Sequence, residues 1–176
     1  GYAAQQRDRF YKKVAKAGYA ENYIVETGLI IKNERGAVDR FRGRVIFPIR
    51  SMAGRVQGFG GRILSATLKT AKYINSPESE VYHKSKVLYG MFEAKKAIAK
   101  EDICYLVEGY TDVIQMFQLG IENIVSSSGT ALTPEQIRLI RRLTSNIVVL
   151  FDGDQAGLRA AIRGIDSVSY THLTLP

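Results

Sequence analysis

The sequence predicts an α/β chain in two parts: an N-terminal mixed α+β subdomain with antiparallel strands, then a parallel sheet flanked by helices. Three observations carry that expectation. Lysine and arginine crowd the segment from Arg7 to Lys100, interleaved with Tyr, Phe and Gly, whereas charge is closer to balanced from Glu101 onward. In the first part, the β-branched runs "RVIFPIRS" and "GRVQGFGGRIL" flank the turn sequence "SMAG". In the second part, short apolar runs alternate with amphipathic helical patterns, the order that builds parallel sheets with crossover helices.

In chain order, residues 7–17 have helical spacing, with Phe10, Val14 and Ala17 on one side. "GLIIKN", "RVIFPIRS" and "GRVQGFGGRIL" then read as an antiparallel, strand-rich piece. No helix follows "GFGGR", so it fails as a nucleotide-binding fingerprint and reads as close backbone packing or a bulge. "KSKVLYGMFEAKKAIAKED" returns to helical spacing. "ICYLVEG" is a short buried strand, "YTDVIQMFQLG" a helix closed by Gly120, and "IENIVSSSG" a second strand. In "TPEQIRLIRRL", Thr133 is the cap, Pro134 opens the first turn and Gln136 completes a capping box. "NIVVLFDGD" is a third strand and "QAGLRAAIRGI" a third helix. The expected organisation is a basic subdomain over 1–100, a parallel-sheet domain over 101–168, and a tail over 169–176 that breaks the pattern and is unrelated to the domain. That tail is expected to add no strand to the sheet, and the start at Gly1 reads as that of a fragment.

Composition excludes several classes. With 176 residues, 45% apolar and 24% charged, the chain is globular rather than disordered or fibrous. Cys104, its one cysteine, lies in the apolar run "ICYLV" and reads as a small buried hydrophobe, so a reducing cytoplasmic setting is expected. No membrane span or signal pattern is visible. His83 and His172 stand alone, which leaves no zinc site and no Ser-His-Asp arrangement. The formal charge of +8, set among aromatic residues, points to nucleic acid; the competing reading is a merely solvated basic face.

Against that basic background, the acids sit at strand ends. Glu108 closes the first strand of the second part, and Asp152 and Asp154 close the third. Ligand crevices in open parallel sheets lie outside the carboxyl ends of the strands. Asp152 and Asp154 project the same way along an extended segment, and Asp112 lies one helical turn beyond Glu108. Carboxylates converging there repel one another unless a cation sits between them, and Mg²⁺ is the hard ion that suits them. A turn with capping aspartates is the competing reading of "DGD" alone.

The stretch from "LVEGYTDV" through "SSSGTALTPEQ" to "FDGDQAG" resembles the toprim domain, a Rossmann-like metal-binding module of primases, topoisomerases and some nucleases. The upstream blocks "FRGRVIFPIRS", "GRVQGFGGRIL", "KYINSPES" and "YHKSKVLYG" resemble the polymerase core of bacterial replicative DNA primases of the DnaG type. The resemblance implies synthesis of short RNA primers on single-stranded DNA from ribonucleoside triphosphates. It implies Glu108, Asp152 and Asp154 as ligands of Mg²⁺ or Mn²⁺, with Asp112 a further acid of the pocket. Arg44, Arg62, Lys72, Tyr73, Asn75 and Lys84 fall in the basic motifs expected to meet template, primer and triphosphate. The family's zinc-ribbon and helicase-binding domains have no counterpart in this sequence, so the replicative helicase is expected only through a part not seen here. A third acidic motif is expected beyond Val168. The alternative is another toprim protein, topoisomerase-like or nuclease, or an inactive nucleic-acid-binding fragment.

Overall fold

A computed structural model describes residues 1–64, 70–129 and 132–151. The chain divides into two compact units, one formed by Gly1–Pro48 and Gln57–Tyr82, the other by Ile49–Val56 and the chain from His83 onward.

The first unit comprises β1 (Tyr2–Ala3), α1 (Arg9–Lys16), α2 (Glu21–Glu26), β2 (Ile30–Asn33), β3 (Gly36–Asp39), β4 (Arg44–Arg50), β5 (Val56–Ile63) and β6 (Tyr73–Asn75), the distal ends of β4 and β5 counting with the second. Its main sheet has the order β1-β4-β5-β6, and β2 and β3 form a separate antiparallel hairpin. The turn "SMAG" forms as expected: Ser51 N donates to Arg55 O at 2.9 Å, and Gly54 supplies the left-handed conformation at φ +86°. The "GFGGR" glycines are sites of close packing, as the sequence reading had it. A Cβ at Gly58 would lie 2.8 Å from the Tyr82 ring, and one at Gly61 2.6 Å from the Phe41 ring. Helix α1 buries none of its residues and is fastened at its start by the buried Asp39, whose carboxylate accepts from Phe10 N at 2.7 Å and Tyr11 N at 3.0 Å.

The second unit contains α3 (Met91–Glu101), β7 (Cys104–Val107), α4 (Tyr110–Gln118), β8 (Ile124–Ser126), α5 (Pro134–Arg141) and β9 (Ile147–Leu150). The strands form a parallel sheet of order β8-β7-β9. Side chains alternate across it. Cys104 and Leu106 face one way with Val125, under Met91, Ala94 and Ile98 of α3 and Ile137 and Ile140 of α5. Val107 and Ile124 face the other way, against Val113 of α4. Both faces of the central strand are therefore covered, which is why β7 reads as an unbroken apolar run. Among the described residues, no helix is long and apolar enough to cross a membrane.

Two sequence expectations meet a different local structure. Helical spacing was read from Lys84 onward, but α3 starts at Met91, after a 3₁₀ turn over Lys84–Lys86 and an extended Val87. Gly90, left-handed at φ +83°, separates the two. Strands β1 and β3 and helix α2 carried no expectation, because each is short and draws its stability from its neighbours. The expected division at 100/101 places α3 in the first part, whereas α3 packs into the core of the second unit. The third helix, "DGD" and the 169–176 tail lie outside the described residues.

Candidate functional site

The site begins where β7 ends. Val107, the last residue of that strand, pairs with Ser126 on one side and with Leu150 on the other. Glu108 thus leaves the central strand with β9 alongside, and in sequence Asp152 follows Leu150 by two residues. The Glu108 backbone is fixed by the fully buried Ser126, whose Oγ donates to Glu108 O at 2.7 Å and accepts from Ser128 N at 2.8 Å. Ser126 itself is clamped by a two-bond bridge to Tyr89. Burial raises the pKa of the Tyr89 phenol, Glu93 raises it further, and Arg50 opposes both.

Asp112 sits in the first turn of α4, where its Oδ2 accepts from Gly109 N at 2.9 Å. Gly109 has no side chain with which to cap, so the third helical residue closes the helix end instead. This fixes the turn leaving Glu108, and it places an anion at the positive end of the helix. Among the described residues, no three His, Cys, Asp or Glu side chains come together as a metal cluster. Asp152 and Asp154, the expected partners of Glu108, lie outside the described residues.

Lys84 belongs to the same unit and sits in the 3₁₀ turn. The start of α5 holds that turn. Gln136 Nε2 donates to Lys84 O at 3.0 Å and to Val87 O at 2.9 Å, and Thr133 Oγ1 donates to Ser85 O at 2.6 Å. The expected capping box is present too: Gln136 N donates to Thr133 Oγ1 at 3.2 Å, and Thr133 N donates to Gln136 Oε1 at 3.1 Å. The capping signal in "TPEQ" was legible, but the second duty of both side chains was not. A buried glutamine in an otherwise apolar helix face is the trace that could have shown it.

In the first unit, three basic-motif residues gather on the β5–β6 pair. Arg62 lies opposite Tyr73, with its guanidinium 5.5 Å from the ring centroid, and Lys72 Nζ is 6.0 Å from the same centroid. Tyr73 is 36% exposed. A ring flanked by two cations can stack on a base while the cations meet phosphates. Asn75 is half-buried opposite Gly60.

Arg44 departs from the expectation that it meets nucleic acid. It is 5% exposed, and its guanidinium donates to Gly61 O (3.3 Å), Ala71 O (3.0 Å), Lys72 O (3.3 Å) and Thr70 Oγ1 (3.3 Å). Gly61 leaves the room for it: a Cβ there would lie 3.1 Å from Arg44 Cδ. Burial lowers the pKa of the guanidinium, and the charge of Arg42 lowers it further. In "FRGR", then, Arg44 is a strut that ties the segment before β6 to the sheet. A cleft of about 690 Å³ in the same unit is lined by Tyr2, Arg9, Phe10, Lys13 and Phe59, among others, and contains none of the expected site residues.

Comparison with known proteins adds an independent line. The model for the DNA primase catalytic core, N-terminal domain, matches residues 1–95, and a Toprim-like model matches residues 105–175. The DNA primase of Escherichia coli strain K12 is 40% identical over 168 residues, which is 95% of this chain and 29% of that protein. That of Deinococcus radiodurans is 44% identical over 171 residues, 96% of this chain and 30% of the relative. The chain thus spans under a third of the length of these curated relatives. The RNA polymerase domain of Mycobacterium tuberculosis primase DnaG superposes with a TM-score of 0.86 at 38% identity, covering 94% of this chain and 56% of the other. A DnaG primase catalytic domain bound to single-stranded DNA superposes with a TM-score of 0.85 at 41% identity, covering 95% and 52%.

Proposed function

This chain belongs to the DNA primase catalytic core family, and on that premise we propose that it carries part of a nucleotidyl-transfer centre that joins ribonucleoside triphosphates into RNA primers on a single-stranded DNA template. The observation that carries the reading is Glu108, held at the carboxyl end of the central strand of a parallel sheet beside β9, the strand that "DGD" follows in sequence. That is where open parallel sheets bind ligands.

The donor set suits a hard divalent ion such as Mg²⁺ or Mn²⁺: Glu108, Asp152 and Asp154 offer carboxylate oxygens, with no soft ligand beside them in sequence. Such an ion, when bound, neutralises phosphate charge and orients the reacting oxygens. The chain's own part is placement. Ser126 and Asp112 fix the backbone at Glu108 and Gly109, the turn from which the Glu108 carboxylate would be offered to such an ion. Arg62, Lys72 and Tyr73 form a cationic, aromatic platform for a single strand, and Lys84 offers a further ammonium to phosphate. Phosphoryl transfer needs positioning and charge neutralisation more than covalent chemistry, so this inventory suffices in kind. A catalytic domain relative solved with single-stranded DNA supports the template assignment.

The test is Glu108→Gln in the longer parent chain, which keeps side-chain size and removes the charge. Primer extension from labelled ribonucleotides is expected to fall by on the order of 10²-fold or more while single-strand affinity is retained. Extension near the unmutated rate would sink the assignment. Metal-dependent nicking of supercoiled DNA without primer extension would move the reading to the nuclease or topoisomerase class.

A further inference from the structure

We infer that Gln136 is a positioning residue for Lys84: its amide builds the turn from which the lysine is presented to phosphate. The inference rests on the proposed role of Lys84 and adds the device that makes that role possible. Four observations carry it. The Gln136 side chain is 0% exposed, so its polar atoms are protected from water and must be satisfied within the protein. Both donors of its amide are used on the same segment, at Lys84 O and Val87 O, while its oxygen accepts from Thr133 N. Thr133 Oγ1 takes the intervening carbonyl of Ser85. Finally, Lys86 N donates to His83 O at 2.9 Å, closing the turn around Lys84 itself.

These bonds explain why "KSKVLYG" is not the helix its spacing suggests. Carbonyls that an α-helix would pair with amides four residues on are claimed by side chains of α5 instead. An amide at position 136 is the group that fits. A carboxylate there would set an anion against two carbonyl oxygens, and a thioether would leave both carbonyls without a donor. The lysine backbone is thus fixed by a residue 52 positions away in sequence that, on this reading, never touches the ligand.

The experiment measures binding of the chain to a fluorescein-labelled oligodeoxythymidylate over a range of salt concentrations. Lys84→Ala is expected to reduce the slope of log affinity against log salt by about 0.7, the loss of one phosphate contact on a single strand. Gln136→Glu and Gln136→Met should each reproduce that reduction. Agreement between the two excludes the new charge as its source. Adding Lys84→Ala to either should lower the slope no further, as expected when both act through one contact. Amide exchange at Lys86 should quicken in the Gln136 variants. Thr133→Val removes the tether to Ser85 O and the cap bond from Gln136 N but keeps both donors of the Gln136 amide, and should give a smaller reduction in slope, so the question stays decidable if the Gln136 variants fail to fold. If Lys84→Ala flattens the slope and both Gln136 variants leave it unchanged, the inference is overturned while the phosphate role of Lys84 stands. If Lys84→Ala itself leaves the slope unchanged, the phosphate role fails and the inference with it.

Discussion

The two units solve the burial of polar groups in opposite ways. In the first, a whole guanidinium lies inside the sheet, and Arg44 holds together by hydrogen bonds what little side-chain volume there would not, since Gly58, Gly60 and Gly61 line that part of β5. In the second, apolar side chains pack on both faces of the sheet, and the buried polar residues are neutral, among them Asn123 and Ser126 at the ends of β8 and Gln136 on α5. The difference teaches where each unit can carry charge. The parallel sheet keeps its interior apolar and presents Glu108 at the strand end. The antiparallel sheet divides its arginines between an internal strut and an outer platform.

The largest expected effect tests the apolar half of that contrast. Leu106 is 0% exposed in the central strand, against both α3 and α5. Leu106→Ala should destabilise by about 3–4 kcal/mol, the cost of lost transfer energy plus a cavity in a site that cannot collapse. The denaturant midpoint measures it. A loss below about 1 kcal/mol would mean that the parallel sheet is not held by this core.

The next tests the polar half. Arg44→Met should cost about 2 kcal/mol, because the carbonyls of Gly61, Ala71 and Lys72 lose a charged donor inside the protein. It should leave the salt dependence of single-strand binding unchanged. Lys72→Ala should do the reverse: stability within about 0.5 kcal/mol, and a salt slope reduced by about 0.7. If Arg44→Met alters the slope as Lys72→Ala does, the distinction between strut and platform is lost.

That pair also marks how far the sequence could be read. Arg44 and Arg62 both lie in basic motifs, and charge patterning cannot say which faces inward. The answer depends on strand register and on the space above Gly61, neither of which is local. The second unit was more legible, since its alternation of apolar runs with capped helices is a short-range signal: α5 begins at Pro134 behind Thr133, as "TPEQ" indicates. Legibility failed where tertiary bonds override spacing, as at Lys84–Lys86, and where elements are too short to announce themselves, as with β1, β3 and α2. Of the expected acids, Glu108 emerges at the strand end that parallel topology dictates, and Asp112 turns its carboxylate to a backbone amide.

The smallest expected effect concerns Cys104, which tests whether the second unit excludes charge as firmly as the first admits it. Cys104 is 0% exposed on the central strand, and burial pushes its thiol up to about 12 from an ordinary 9.0. The folded chain therefore keeps the thiol proton over a range in which the unfolded chain has released it. Between those two values the unfolded state binds fewer protons, so stability is complete below about pH 9 and declines as pH rises above it, by at most about 1.4 kcal/mol per unit. Cys104→Ala removes that one contribution while every lysine and tyrosine titrates as before. The unfolding free energy from urea titrations should thus fall more between about pH 8 and about pH 10 for the unmutated chain than for Cys104→Ala, by about 1.4 kcal/mol in the difference. Equal slopes would show that the thiolate is tolerated where it lies. The sheet interior would then hold an anion as readily as the other unit holds a guanidinium, and the contrast between the two units would fail at its most sensitive point.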